Sequence, residues 1–239
     1  MKIHHTVTGL FLTSLLVACG GGGGGGGAPV TTGLVLSTLS FPFQSAYGAL
    51  IQNGYTKEYK VIIGDCIGTA IEKAENPVSG ATLGGVVNLL SVQMSMDIKF
   101  PSSNCASLST VEMETRYFDS STYMPQGNES SGLYRIYETP PVIPAFVAVL
   151  SSGRIGTLTN YSRSPYSKIG TSEVSYQVLP ETDTTATVIL NLTSVNYNNA
   201  GTVISTVQER YRIGTTGALT PISRDIQNLV ADTKHLVFQ

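Results

Sequence analysis

From position 92 to 100 apolar side chains fall on every second residue, Val92, Met94, Met96, Ile98 and Phe100, with Gln93, Ser95, Asp97 and Lys99 between them. A period of two belongs to a β-strand, whose successive side chains point to opposite faces. Val111, Met113 and Tyr117 alternate in the same way with Glu112, Glu114 and Arg116, and Val174, Tyr176 and Val178 with Ser175 and Gln177. By this rule Glu112 and Glu114 belong on the wet face of their strand. Residues 186–197 and 202–213 flank Asn198-Asn199-Ala200-Gly201, which predicts a long hairpin. Residues 219–226 and a short stretch at 235–238 read as further strands. One segment departs from this period. Phe43, Ala46, Tyr47, Leu50 and Ile51 recur at helical spacing with Gly54 placed to stop the turn, so residues 42–53 are predicted as a short amphipathic helix that plugs one end of a sheet.

Ten to twelve candidate strands lie between turn clusters such as Pro101-Ser102-Ser103-Asn104 and Pro180-Glu181-Thr182-Asp183, with no helical pattern among them. The chain is therefore expected to be all-β, an antiparallel meander with one short N-terminal helix. Strands of ten or more residues must manage their edges, and curling into a barrel or half-open barrel does so. A two-sheet sandwich is the alternative. No repeat of 20 to 50 residues is evident. At 239 residues and 41% hydrophobic, the chain can bury a proper core in one large β domain.

Composition narrows the function classes. Only 13% of residues are charged and the formal net charge is −2, with Glu209-Arg210-Tyr211-Arg212 as the densest basic spot, so a nucleic-acid partner is not expected. Abundant Tyr, Thr, Ser, Val and Gly, with no Trp, suit pleated surfaces.

The amino terminus carries a different message. Residues 7–17 form an apolar run of an h-region's length, short of the roughly 20 residues that span a bilayer. It closes on Leu16-Val17-Ala18-Cys19, which resembles the lipobox of bacterial lipoproteins, with a branched residue three before the cysteine and a small one directly before it. The resemblance implies cleavage before Cys19, a diacylglycerol thioether on its sulfur and acylation of the new amino terminus. With Gly20 where lipoproteins of the inner membrane typically carry aspartate, it implies the outer membrane of the cell envelope as destination. Beyond this motif the chain resembles at most uncharacterised β-rich lipoproteins of Gram-negative bacteria. Several acyl chains on one residue anchor durably where a single chain holds marginally. Gly20 to Gly27 then form a slack coil with an end-to-end distance of about 16 Å. The octaglycine also matches G-x-G-x-x-G, but no strand precedes it and no helix follows, so it is no dinucleotide fingerprint. The expected organisation is a signal peptide at 1–18, a lipidated Cys19 with a Gly-rich tether through residue 40, and one β domain at 41–239.

Once Cys19 is acylated, Cys66 and Cys105 remain as an even pair in a compartment that permits disulfides, and they are expected to be bridged. His235 is the one histidine that would outlast signal cleavage, there is no G-x-S-x-G elbow, and no soft-ligand set for a metal is present. No cofactor is expected. Carboxylates are the remaining chemistry. Glu112 and Glu114 share a strand face about 7 Å apart, within the range of paired-carboxylate glycoside hydrolysis. Glu209 falls in register with Val203, Val207, Tyr211 and Ile213, so if that face points inward it is a buried acid needing a partner, with Arg116, Arg135 and Arg224 as candidates. The sequons at Asn128, Asn160 and Asn191 read as turn and strand residues, since the lipobox resemblance implies a bacterial source.

The leading expectation is a non-enzymatic lipid-anchored envelope protein that binds or organises other envelope components. A carrier holding an apolar ligand in a barrel cavity, lined by the Met and Val stripe of 92–100, and a polysaccharide hydrolase using paired acids are the alternatives.

Overall fold

The computed structural model describes residues 36–163, 166–181, 184–230 and 235–239. The signal peptide, the lipobox with Cys19, and the glycine run lie outside the described residues. Two short strands, β1 (Ser40–Phe41) and β9 (Val147–Ala148), pair with each other. The remaining strands, β2 (Tyr55–Ile63), β3 (Cys66–Ala74), β4 (Val78–Leu83), β5 (Val86–Lys99), β6 (Thr110–Phe118), β7 (Pro125–Ser130), β8 (Leu133–Tyr137), β10 (Ser152–Arg163), β11 (Tyr166–Pro180), β12 (Thr187–Asn198), β13 (Val203–Gly214), β14 (Leu219–Asn228) and β15 (His235–Phe238), form one antiparallel sheet. Twelve of these thirteen close into a barrel, and only β4 stands outside the ring. The barrel expected from the alternation is thus closed rather than half-open, and the two-sheet alternative is set aside.

Closure depends on β5. Its fourteen residues pair with β6 from Leu90 to Ile98 on one side. On the other side its first half pairs with β4 and its second half, Met94 to Lys99, pairs with β3, which joins the two ends of the meander. Gly68 sits beside this seam: a Cβ there would lie 2.2 Å from the Lys99 carbonyl oxygen and 2.8 Å from the Phe100 ring. The freed β4–β5 hairpin folds over the outer surface, where Leu83 and Leu89 bury Tyr117 and pack against Tyr134 and Ile136.

The expected helix is present as α1 (Phe43–Asn53). It is stopped by Gly54, whose φ of +60° suits glycine and whose missing Cβ would meet the Ala74 carbonyl oxygen at 2.5 Å. Its apolar face plugs one barrel end. Phe43 and Ala46 join Ile155, Val178, Val188, Leu190, Tyr211 and Ile213 in one core, and Ile51 joins Ala74, Leu90, Val92 and Phe118 in the next. Aromatic edges continue the plug across the lumen, with Phe43 5.7 Å from Tyr176 and Tyr47 6.3 Å from Phe118, centroid to centroid. At the opposite end Tyr59, Val61, Met96, Ile98, Phe100 and Phe238 form a third core, over which a loop is stapled by the Cys66–Cys105 disulfide, its Cα atoms 5.9 Å apart.

The outer wall mixes charged side chains with exposed apolar ones such as Ile67, Ile71, Val111 and Met113. Glu58 and Lys60 on β2, Lys73 on β3, Lys99 on β5, Glu173 on β11, and Arg210 and Arg212 on β13 are exposed.

Candidate binding site in the barrel lumen

Strand register decides which side chains enter the lumen. Across the seam Glu72 faces Met96, and across β5–β6 Met94 faces Glu114 and Val92 faces Arg116. Glu112, Glu114 and Arg116 therefore share the face of Val92, Met94 and Met96, which is the inside. The sequence pattern assigned these residues to the wet outer face, and the structure corrects the face: Glu114 and Arg116 are half-buried inside, Glu112 is exposed at the end of the same row, Val111 and Met113 are exposed outside, and Tyr117 is covered by the hairpin. Continuing round the ring, Arg116 faces Asn128, Asn128 faces Arg135, and Arg135 faces Asn160. On the far wall Glu209 faces Leu192 on one side and Arg224 on the other.

Strands β6 and β13 are six places apart in a ring of twelve, so they are diametrically opposed. Nevertheless Arg116 Nη2 lies 3.4 Å from Glu209 Oε1. Contact between side chains of opposite walls requires a flattened cross-section, with walls near the roughly 10 Å spacing of packed sheets. Both carboxylates beside Arg116 are held: its Nε lies 2.7 Å from Glu114 Oε1, and Arg224 Nε is 3.7 Å from Glu209 Oε1. Arg224 Nη1 also lies 3.8 Å from Glu72 Oε1, while the Tyr59 and Tyr211 hydroxyls donate to Glu72 at 2.8 Å and to Glu209 at 3.2 Å. Glu209 thus faces inward, as its register implied, and is half-buried, with two of its three candidate arginines as partners. Arg135 is not one of them. Among the described residues its guanidinium has no ion pair within 4 Å.

The electrostatics follow from this geometry. Burial alone would push the Glu209 carboxyl up, but Arg116 and Arg224 together outweigh it and hold the group below the usual carboxylate range. Glu114 behaves likewise, with Arg116 as the main opposing influence. Arg135 shows the reverse: burial presses its pKa down, the attraction of Glu114 does not compensate, and the charges of Arg224 and Arg116 add to the pressure. It remains a cation at any physiological pH.

Two cavities flank the ion-pair bridge. One, of about 230 Å³, lies under α1 in the lobe walled by β7 to β13, and its lining is largely apolar: Phe43, Phe118, Tyr137, Ile143, Ile155, Leu158, Val174, Leu192 and Val207. The second, of about 290 Å³, is polar, lined by Glu72, Glu112, Ser130 and Ser131 together with Met94 and Met96 of the anticipated stripe. The side chains of Glu114, Arg116, Arg135 and Arg224 line both. The rest of the stripe, Val92, Ile98 and Phe100, is plain core.

A polar ladder unanticipated from sequence crosses the inner wall of β10 to β13. The Ser172 hydroxyl, fully buried, accepts from Asn160 Nδ2 at 3.0 Å and donates to Asn196 Oδ1 at 2.5 Å, while Asn196 Nδ2 donates to Ser205 at 2.9 Å. Its one sequence signal was that these polar residues occupy the same period-two positions as the apolar ones. His235 sits on the surface, 2.9 Å from Asp225 and remote from the lumen cluster, and no group of three or more metal-ligating side chains occurs among the described residues. No known protein family, curated protein or solved structure matches the chain.

Proposed function

We propose that this is a lipid-anchored protein of the bacterial envelope, tethered through an acylated Cys19 in the outer membrane, whose barrel binds a small molecule in its lumen without transforming it. The observation that carries the binding role is the cavity of about 230 Å³ between the helix plug and the ion-pair bridge, apolar along most of its wall and charged at one side. Concave, mostly apolar spaces with a few convergent polar groups are the usual form of ligand sites. The size favours a ligand smaller than most drug-sized molecules, and the mixed lining favours an amphiphile over the purely apolar cargo that the Met and Val stripe suggested. The hydrolase alternative paired Glu112 with Glu114, and it is disfavoured because one oxygen of Glu114 is committed to Arg116 at 2.7 Å and to Asn128 at 3.1 Å.

Native mass spectrometry of the full chain carrying Cys19→Ser, purified without detergent, tests the binding role. A discrete non-covalent adduct that disappears on denaturation is the expected outcome. A spectrum of bare polypeptide from cells grown in rich medium would count against a lumen ligand and return the chain to a purely structural role.

A further inference from the structure

Among the described residues, three arginines and four glutamates face the lumen, of which Glu112 lies at the exposed mouth of the polar cavity, outside the bridge. Arg116 holds Glu114 and Glu209, and Arg224 holds Glu209 and Glu72. Asn128 Nδ2 adds a further donor to Glu114 at 3.1 Å. Every lumen carboxylate of this bridge is thereby committed to the other two arginines, and Arg135 stands at the junction of both cavities with five N–H donors and, among the described residues, no side-chain acceptor. The Arg135 side chain is half-buried in the lumen wall without a carboxylate partner, so its donors are left to water or to a ligand. Tyr134 and Ile136 of β8 pack outward under the β4–β5 hairpin, while Arg135 alone of the three turns inward.

Resting on the reading that the lumen binds a ligand, we infer that the ligand is an amphiphile with one anionic head, a carboxylate, which Arg135 grips while its apolar chain lies along Phe43, Ile143, Ile155, Leu158 and Val174. The planar fork of Arg matches a carboxylate with two parallel hydrogen bonds. The neighbouring acids bar a second negative charge, since Glu114 and Glu72 repel it. A cationic head would meet the Arg135 guanidinium with every carboxylate of the bridge already paired.

Calorimetric titration of the full chain carrying Cys19→Ser tests this with butyrate, octanoate and dodecanoate against octan-1-ol and octylamine. At least one carboxylate is expected to bind saturably, with the alcohol of matching length weaker by about ten- to a hundredfold, the worth of a charge-assisted hydrogen bond, and the amine weaker still. Arg135→Gln should bring the carboxylate down to the level of the alcohol and leave the alcohol unchanged, and Arg135→Lys should restore part of the difference. Because Arg135 has no ion pair to lose, the ligand-free Arg135→Gln chain should melt no lower than the parent. Equal binding of carboxylate and alcohol, binding by no carboxylate, or a carboxylate affinity untouched in Arg135→Gln overturns the inference. A lower melting temperature in Arg135→Gln with binding intact assigns Arg135 a structural role instead. An adduct in the mass spectrum that lacks an acidic group sinks this inference alone and leaves the lumen reading standing, whereas absence of any adduct sinks that reading first.

Discussion

Glu209 ties the two opposite walls of the barrel together, because one carboxylate oxygen serves arginines from β6 and β14 and the other accepts from Tyr211. Replacing it with Gln keeps the shape but leaves Arg116 and Arg224 with one carboxylate each. Removing one partner of a buried pair costs 3–5 kcal/mol. Glu209 retains 19% of its side-chain exposure, so a loss of about 2–3 kcal/mol is expected, read as a lower urea midpoint at unchanged slope. The same pairs set a pH dependence. Glu114 and Glu209 have folded pKa values below the unfolded value of about 4.3, so their contribution is complete above that pH and is lost as pH falls through the folded values. The urea midpoint should be level from about pH 7 to 5 as far as these groups go, decline below about pH 4, and decline less steeply in Glu209→Gln. An identical acid limb in the variant would show that another group controls it. The inward turn of Glu209 was legible because Val207, Tyr211 and Ile213 share its face. The inward turn of Glu114 and Arg116 was not, since the rule that apolar means inside presumes a dry interior. On β6 Glu114 and Arg116 satisfy each other inside, and the hairpin covers Tyr117 outside.

Among the elements, the β3–β5 seam is where a single atom matters most. Gly68→Ala places a methyl 2.2 Å from the Lys99 carbonyl, a backbone atom that cannot rotate away. The strands must part there, and overpacking of this kind costs about 1–3 kcal/mol or more. Gly214→Ala is the control, since its nearest neighbours would be side-chain atoms at 3.7 and 3.8 Å. Thermal melts should rank Gly68→Ala well below Gly214→Ala, and the opposite order would mean that the seam does not limit stability. The elements themselves were largely readable. The helix at 42–53 and the hairpin at 186–197 and 202–213 agree with α1, β12 and β13 to within a residue or so, because each combined a clean period with turn residues at its ends. The β4–β5 hairpin and the seam were not readable. Strand β5 has two successive partners on one side, and which partner each half takes depends on where the meander closes, a long-range fact that local alternation does not encode.

At the scale of the whole molecule, closure leaves the ring without free edges, and the disulfide removes a 39-residue separation from the unfolded chain's freedom, worth about 4 kcal/mol in the chain-entropy picture. What remains is the relation of this body to a membrane. No helix of the described residues is long and apolar enough to cross one, which says nothing about strands, but the strands speak for themselves. Lys60, Lys73, Lys99, Arg210 and Arg212 are exposed on β2, β3, β5 and β13, and a cation on a lipid-facing wall costs about 2–4 kcal/mol where it lies at the midplane, which weighs against insertion of that side of the ring. The proposed lipid on Cys19 would supply attachment from outside the barrel, since several acyl chains on one residue bind durably. Cells expressing the parent chain and Cys19→Ser, labelled with radioactive palmitate and separated into membrane and soluble fractions, distinguish the two sources of attachment. The parent should carry label and sediment with the membranes, and the variant should carry none and leave the membrane fraction wherever its signal still permits release. A labelled variant would overturn the assignment of the acceptor to Cys19. An unlabelled but cleaved variant that still sediments would mean that the outer wall has a membrane partner of its own, and the tether would no longer be what holds the barrel in place.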